Sequence, residues 1–167
     1  MNIAAFISVE DYLHRVDKPN AEYLDGVVRP KPMPTGYHAL LCFFLLQMLR
    51  QQGIKAAAEA TVRISPTKYL VPDVIAAPRI DLSYQTEPVT ICVEILSPED
   101  RLSATLNKCA LYHDWGVPFC WVIDPLRRVA WNYARHSDPE EIASDGTLTA
   151  DNIRISLSEL FARVDEG

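Results

Sequence analysis

Tyr69-Leu70-Val71-Pro72-Asp73-Val74-Ile75-Ala76-Ala77 and, after a polar connection, Val89-Thr90-Ile91-Cys92-Val93-Glu94-Ile95-Leu96-Ser97 are dense apolar runs, each with one carboxylate near its middle. Both read as β-strands, and the connection around Asp81 to Pro88 suits antiparallel neighbours. Asp and Glu are depleted in strands, and a buried carboxylate costs several kcal/mol unless it is paired, protonated or bound to a metal. Two of them side by side therefore need a reason, and a shared divalent cation is the simplest. At period two, Asp73 shares a face with Val71 and Ile75, and Glu94 with Cys92 and Leu96. Neighbouring strands lie roughly 4.8 Å apart, so if the two faces coincide, both acids can converge on one Mg²⁺. Pro72 has no N–H to donate and favours a strand edge or a bulge, which often re-aims side chains beside active sites.

The flanking sequence divides into elements with recognisable ends. Ser8 and Asp11 resemble a capping box that opens a helix running to about Val16. Tyr23-Leu24-Asp25-Gly26-Val27-Val28 is a hairpin signal with a type I′ turn at Asp-Gly, and it sets Glu22 across from Arg29. Thr35 caps a helix from about Tyr37 to Gln52, stopped by Gly53. Leu40, Leu41, Phe43, Phe44, Leu45, Leu46, Met48 and Leu49 cover most of its circumference, the pattern of a central buried helix. From Ile54 to Ile64 the period is two, as in one half-buried strand. Ser97-Pro98-Glu99-Asp100 opens a further helix, which ends near Trp115 at Gly116 and Pro118. Phe119 to Ile123 and Arg128 to Tyr133 are strands joined at Asp124-Pro125, which is most simply a turn. A polar, loop-like stretch from His136 to Thr149 precedes a short helix near Ser156 to Val164.

A chain of 167 residues with 49% apolar content suits one domain, 1–167, around one sizeable core. The longest uninterrupted apolar run, Ala39 to Leu46, is too short for a membrane span, and Met1 to Glu10 lacks a basic segment before a long apolar one. No membrane association is expected. Cys42, Cys92, Cys109 and Cys120 lie among apolar neighbours without C-x-x-C spacing, as buried free thiols do, and a reducing cytoplasm follows. The net charge of −6 argues against a strong non-specific polyanion binder. Lys68, Arg79, Arg101, Lys108, Arg127, Arg128 and Arg135 all fall in the half that holds the two acids, where they could form a local basic groove or a solvated surface.

Lys108 lies on the helix after the Glu94 run, with Tyr112 four residues on and Ala104 one turn before. A lysine beside a metal-bound water can orient it, help it lose a proton, or neutralise charge on a phosphorane-like transition state. Glu22-Tyr23-Leu24-Asp25-Gly26, Val71-Pro72-Asp73-Val74, Val93-Glu94-Ile95-Leu96-Ser97-Pro98, Lys108 with Tyr112, Gly116-Val117-Pro118 and Trp121-Val122-Ile123-Asp124-Pro125 occur in that order. As an ordered set they resemble the Uma-type family of restriction-endonuclease-like proteins, within the PD-(D/E)XK nuclease superfamily. The resemblance runs over nearly the whole chain, through Leu157 to Phe161.

The resemblance implies a mixed α/β fold, a central mixed sheet flanked by helices, and phosphodiester hydrolysis. It makes Asp73 and Glu94 the ligands of Mg²⁺, with Mn²⁺ as a substitute, and Lys108 the residue that activates the water. Glu22 matches the family's N-terminal glutamate, which could hydrogen-bond a metal water or approach the metal. His38 also matches a family position. The superfamily's commoner pattern places lysine two residues after the second acid, where this chain has Leu96; the Uma-type pattern moves it to the next helix, which Lys108 satisfies. The expected partner is nucleic acid, DNA first, and a homodimer would address both strands of a duplex.

Structural readings compete at each position. Asp73 or Glu94 alone could belong to an ion pair, since such pairs also perturb carboxylates. Glu22 could simply pair with Arg29 across the hairpin, worth about 0.2–1 kcal/mol. A first-turn helix histidine such as His38 is usually structural, and Trp115, Trp121 and Trp131 fit a core better than a base-stacking platform. The competing function is a catalytically inactive nuclease-fold module with a regulatory or protein-interaction role.

Overall fold

The structure, a computed structural model, describes residues 6–16 and 20–167. Met1 to Ala5 of the N-terminal stretch discussed above lie outside them. Helix α1 (Val9–Leu13) starts where Ser8 Oγ accepts the Asp11 N–H at 3.0 Å. It closes at His14, short of the expected Val16. Strands β1 (Ala21–Leu24) and β2 (Val27–Pro30) form the hairpin, with φ of 50° at Asp25 and 93° at Gly26. Positive φ at both central positions is what a type I′ turn demands. A Cβ at Gly26 would also meet the Phe6 ring at 2.6 Å. Helix α2 (Gly36–Gln51) is capped by Thr35, whose Oγ1 accepts the His38 N–H at 3.2 Å. It ends before Gly53, which takes a φ of 84°.

α2 is not buried all round. Leu41, Cys42, Leu45, Met48 and Leu49 face the core, whereas Phe43 is half exposed. Its surplus of apolar residues over a normal amphipathic stripe is explained by Phe43, Leu46 and Ala39, which line an open cleft.

The alternating stretch from Ile54 to Ile64 is two strands, β3 (Lys55–Ala58) and β4 (Val62–Ser65), in different sheets. The break falls at Glu59, where φ is 54°. The run from Tyr69 to Ala77 is likewise split into β5 (Lys68–Leu70) and β6 (Val74–Ala77). Pro72 lies in the gap, and Asp73 stands at the threshold of β6 rather than within a strand. β7 (Ile91–Ile95) carries Glu94. Helix α3 (Leu102–Trp115) ends at Gly116, with a φ of 123°. β8 (Phe119–Asp124) and β9 (Val129–Ala134) follow, joined by a turn in which Asp124 Oδ1 accepts the N–H groups of Leu126 and Arg127. The expected loop from His136 holds β10 (Glu140–Ile142) and runs into a ribbon of β11 (Thr147–Ala150) and β12 (Ile153–Ser156). β10 is an exposed edge strand, so its composition stays polar and hides it from a hydrophobic pattern. Helix α4 (Leu157–Glu166) closes the chain, capped by Ser156.

The fold is mixed α/β. A six-stranded sheet of order β10-β9-β8-β7-β6-β3 is antiparallel except for β7 and β8, whose parallel pairing is bridged by α3. A second sheet has the order β2-β1-β5-β4. Val74, Ala76, Val93 and Ile95 pack on the α2 and α4 side of the larger sheet, whereas Ile75, Cys92, Cys120 and Val122 pack towards α3. The four cysteines are buried and free. Among the described residues, no helix is long and apolar enough to cross a membrane.

Candidate metal and catalytic site

The alternation along β7 sends Glu94 to the side that α3 covers, which is why Lys108 and Tyr112, one turn apart on that helix, both reach it. Tyr112 Oη donates to Glu94 Oε1 at 2.6 Å, and Lys108 Nζ approaches the same oxygen at 3.0 Å. Lys108 also donates to Glu22 Oε1 at 2.6 Å, while Glu22 Oε2 accepts the Val71 N–H at 3.0 Å. Glu22 does stand opposite Arg29 in the β1–β2 register, but its carboxylate turns inward to Lys108 instead.

Burial pushes the Glu94 carboxyl up to about 7 against the pull of Lys108, and the negative charges of Asp73 and Glu22 add to the rise. Lys108 is held charged: burial works against its ammonium, but Glu94 and Glu22 more than offset it. The Tyr112 hydroxyl is pushed well above its ordinary value by burial and by Glu94, so it remains a donor.

Val74 lies opposite Val93, and one further step of this antiparallel register brings Asp73 to Glu94. The Ile95 N–H donates to Asp73 Oδ2 at 2.7 Å, which ties the loop to β7. Asp73 Oδ1 meets a different set of partners. Lys31 Nζ lies at 2.8 Å and His38 Nε2 at 3.2 Å. Burial opposes ionisation of Asp73, yet the His38 bond, the Lys31 charge and the Ile95 N–H together hold it well below the usual carboxylate range. The bond to Asp73, helped by Cys42, raises His38 to about 10. Glu59, turned by its positive φ, brings its carboxylate to 3.3 Å from Lys31 Nζ.

The four site residues expected from sequence therefore come together in two halves. Glu22, Glu94 and Lys108 touch directly. Asp73 joins them through Ile95 and through a shared cleft of about 1440 Å³, which all four line. Asp73 is also close to His38, which the resemblance marked, and to Glu59, which nothing marked: ligand atoms of the three lie within 4.8 Å of one another, and Glu94 is not in that set. Lys31 was missed, although a lysine between Pro30 and Pro32 sits on a stiff, extended backbone and is a candidate for fixed presentation. Nothing local marks Glu59. Of the basic residues in the half holding the acids, Lys108 alone lines the cleft; Lys68, Arg79, Arg127 and Arg128 pair with Asp25, Asp81, Glu141 and Asp165 elsewhere.

The donor set suits a hard divalent cation. The carboxylate oxygens of Glu22, Asp73 and Glu94 in this cleft are donors of the kind such a cation takes, and burial holds the Glu94 carboxyl above its ordinary value despite Lys108.

Comparison with curated proteins found no match. Among solved structures, the chain is similar to a protein from Anabaena variabilis ATCC 29413 described as a "putative nuclease belonging to DUF820". The TM-score is 0.80 at 21% identity, over 95% of this chain and 99% of that one, so the two share a fold. The family model Uma2, described as "Putative restriction endonuclease", matches residues 9–160, and the chain belongs to that family.

Proposed function

We propose that the protein is a Mg²⁺-dependent endonuclease that hydrolyses phosphodiester bonds of nucleic acid, DNA first, with Mn²⁺ able to replace Mg²⁺. The observation that most supports this reading is the chain of contacts Glu22–Lys108–Glu94 at the end of β7, which lines the same cleft as Asp73 and is backed by the buried Tyr112. Asp73 and Glu94 would hold the ion, which when bound supplies positive charge and Lewis acidity towards a phosphate oxygen.

The chain's own residues account for the rest. Two carboxylates keep Lys108 protonated, so it donates hydrogen bonds and charge rather than taking a proton. It orients the attacking water and neutralises negative charge that grows on the phosphoryl oxygens. Glu22 fixes that ammonium, and Tyr112 fixes the rotamer of Glu94. Arg29 and the exposed Met33, Phe43 and Leu126 line the outer cleft, a charged and apolar surface on which phosphates and bases can both find partners. A homodimer would place two such clefts on a duplex, and light scattering of the purified chain measures that assembly state.

One observation favours an inactive scaffold: Lys31 and Lys108 already neutralise much of the acidic cluster without any ion. A cleavage assay on single-stranded DNA, duplex DNA and RNA, with Mg²⁺ or Mn²⁺, separates the two. Cleavage that is ion-dependent and lost in Asp73→Ala, Glu94→Ala and Lys108→Ala is the expected result. Undiminished cleavage by either acid variant contradicts the assignment, and no cleavage of any substrate favours the scaffold.

A further inference from the structure

We propose that Lys31 is a tethered cation occupying the place that a divalent ion takes at Asp73, so that ion binding proceeds by exchange with its ammonium. The inference rests on the metal-dependent reading above. Asp73 has two oxygens, and Oδ2 is committed to the Ile95 backbone N–H at 2.7 Å. Oδ1 is the oxygen left for an ion, and Lys31 sits on it at 2.8 Å. The same ammonium lies 2.7 Å from the Val71 carbonyl oxygen and 3.3 Å from each oxygen of Glu59. His38 Nε2 touches Asp73 Oδ1 at 3.2 Å. The Asp73 and Glu59 carboxylates and the Val71 carbonyl are oxygen donors of the kind Mg²⁺ or Mn²⁺ accepts, with Glu94 the further ligand of the reading above, and here an ammonium fills the place.

The cage is built rather than incidental. Lys31 is flanked by Pro30 and Pro32, and its own N–H donates to the Asn20 carbonyl at 2.8 Å, so its backbone is fixed. The Glu59 N–H donates to the Asp73 carbonyl oxygen at 3.2 Å, which locks the two acid-bearing loops together. The Lys31 side chain is 11% exposed. Lys31 sits directly on Asp73 Oδ1, so an ion reaches that oxygen only as the ammonium leaves it. The exit is open, since Lys31 lines the cleft and its four-carbon stem can swing outwards. The exchange inserts two positive charges and releases one, and the freed ammonium then faces the path a phosphate would take. Metal loading and substrate binding become coupled through one side chain.

The test is calorimetric titration of Mn²⁺ into the metal-free full chain, comparing wild type with Lys31→Met and Lys31→Gln, the latter covering loss of fold in the former. The expected result is one site in each, at least tenfold tighter in both variants, with a larger rise in Tm on adding Mn²⁺. Equal or weaker affinity in the variants, or no binding to any of the three, overturns the proposal. A second readout uses the wild type alone: on adding Mg²⁺, the Lys31 side-chain NMR signals should move to those of a solvent-exposed lysine, and unmoved signals at saturation overturn the exchange. Failure here is distinguishable from failure of the nuclease reading. Ion-dependent cleavage with Lys31 unmoved defeats the exchange alone, whereas exchange without cleavage of any nucleic acid defeats the nuclease reading alone.

Discussion

Asp73 and Glu94 are neighbouring carboxylates at the ends of paired strands, equally hidden from solvent, yet their proton affinities move in opposite directions. Burial alone would raise both. The difference lies in what each carboxylate receives. Asp73 takes a backbone N–H on one oxygen and two cationic side chains on the other, and it is held ionised. Glu94 shares one ammonium with Glu22, takes one hydroxyl, and lies in the field of two other acids, so its carboxyl rises to about 7. One half of the site is neutralised by its partners, and in the other a single ammonium is shared by two carboxylates. In such a pocket, donor count decides the protonation state more than depth does.

The largest effect that could break this contrast is on folding stability without metal. Asp73→Asn leaves Lys31 and His38 facing an amide in a buried site, and urea denaturation should show a loss of about 3–5 kcal/mol. Glu94→Gln removes a poorly compensated charge and should cost less than half as much. Equal losses would abolish the distinction between the halves. Next comes Tyr112→Phe, which removes a 2.6 Å bond to a buried carboxyl. It should cost about 1.5–3 kcal/mol and push Glu94 higher still, as a carboxyl infrared titration would record.

The pH dependence sharpens the contrast further. Glu94 is raised above its ordinary value of 4.5, so the folded state binds the extra proton between there and about 7. Its contribution to stability is fully present below 4.5 and is lost as pH rises through 7, about 1–3 kcal/mol in all. Asp73 behaves oppositely: its contribution is present above 3.8 and is lost on acidification. Between pH 5 and about 6.5 stability from denaturation curves should therefore fall as pH rises in the wild type and stay flat in Glu94→Gln, whereas above 6.5 the raised His38 adds a downward slope that both proteins keep. The smallest effect concerns the hairpin. Because Glu22 turns to Lys108, Arg29→Ala should change stability by no more than about 0.5 kcal/mol, with no measurable coupling to Glu22 in a double-mutant cycle.

Much of this was legible in the chain because it depends on local chemistry. Asp25-Gly26, Thr35, Gly53 and Gly116 each encode a turn, a cap or a stop within a few residues, and the structure uses all four as such. Glu94, Lys108 and Tyr112 were readable because one strand face and one helix turn relate them. The Ile54 to Ile64 stretch misled because its small alanines alternate as well across a break as along one strand, and nothing local shows that Glu59 turns the chain between two sheets. Pro72 did carry the warning that Asp73 leaves the ladder. Lys31 was hidden for a different reason. Its partners, Asp73, Val71 and Glu59, come from loops far along the chain that only tertiary packing assembles.

That Asp73 and Glu94 address one ion is tested most directly by the anomalous difference map of a crystal of this chain grown with Mn²⁺. A single peak within about 2.3 Å of an oxygen from each acid is the expected result. A peak held by Asp73, His38 and Glu59 with Glu94 still closed on Lys108, or no peak at the site, would contradict it.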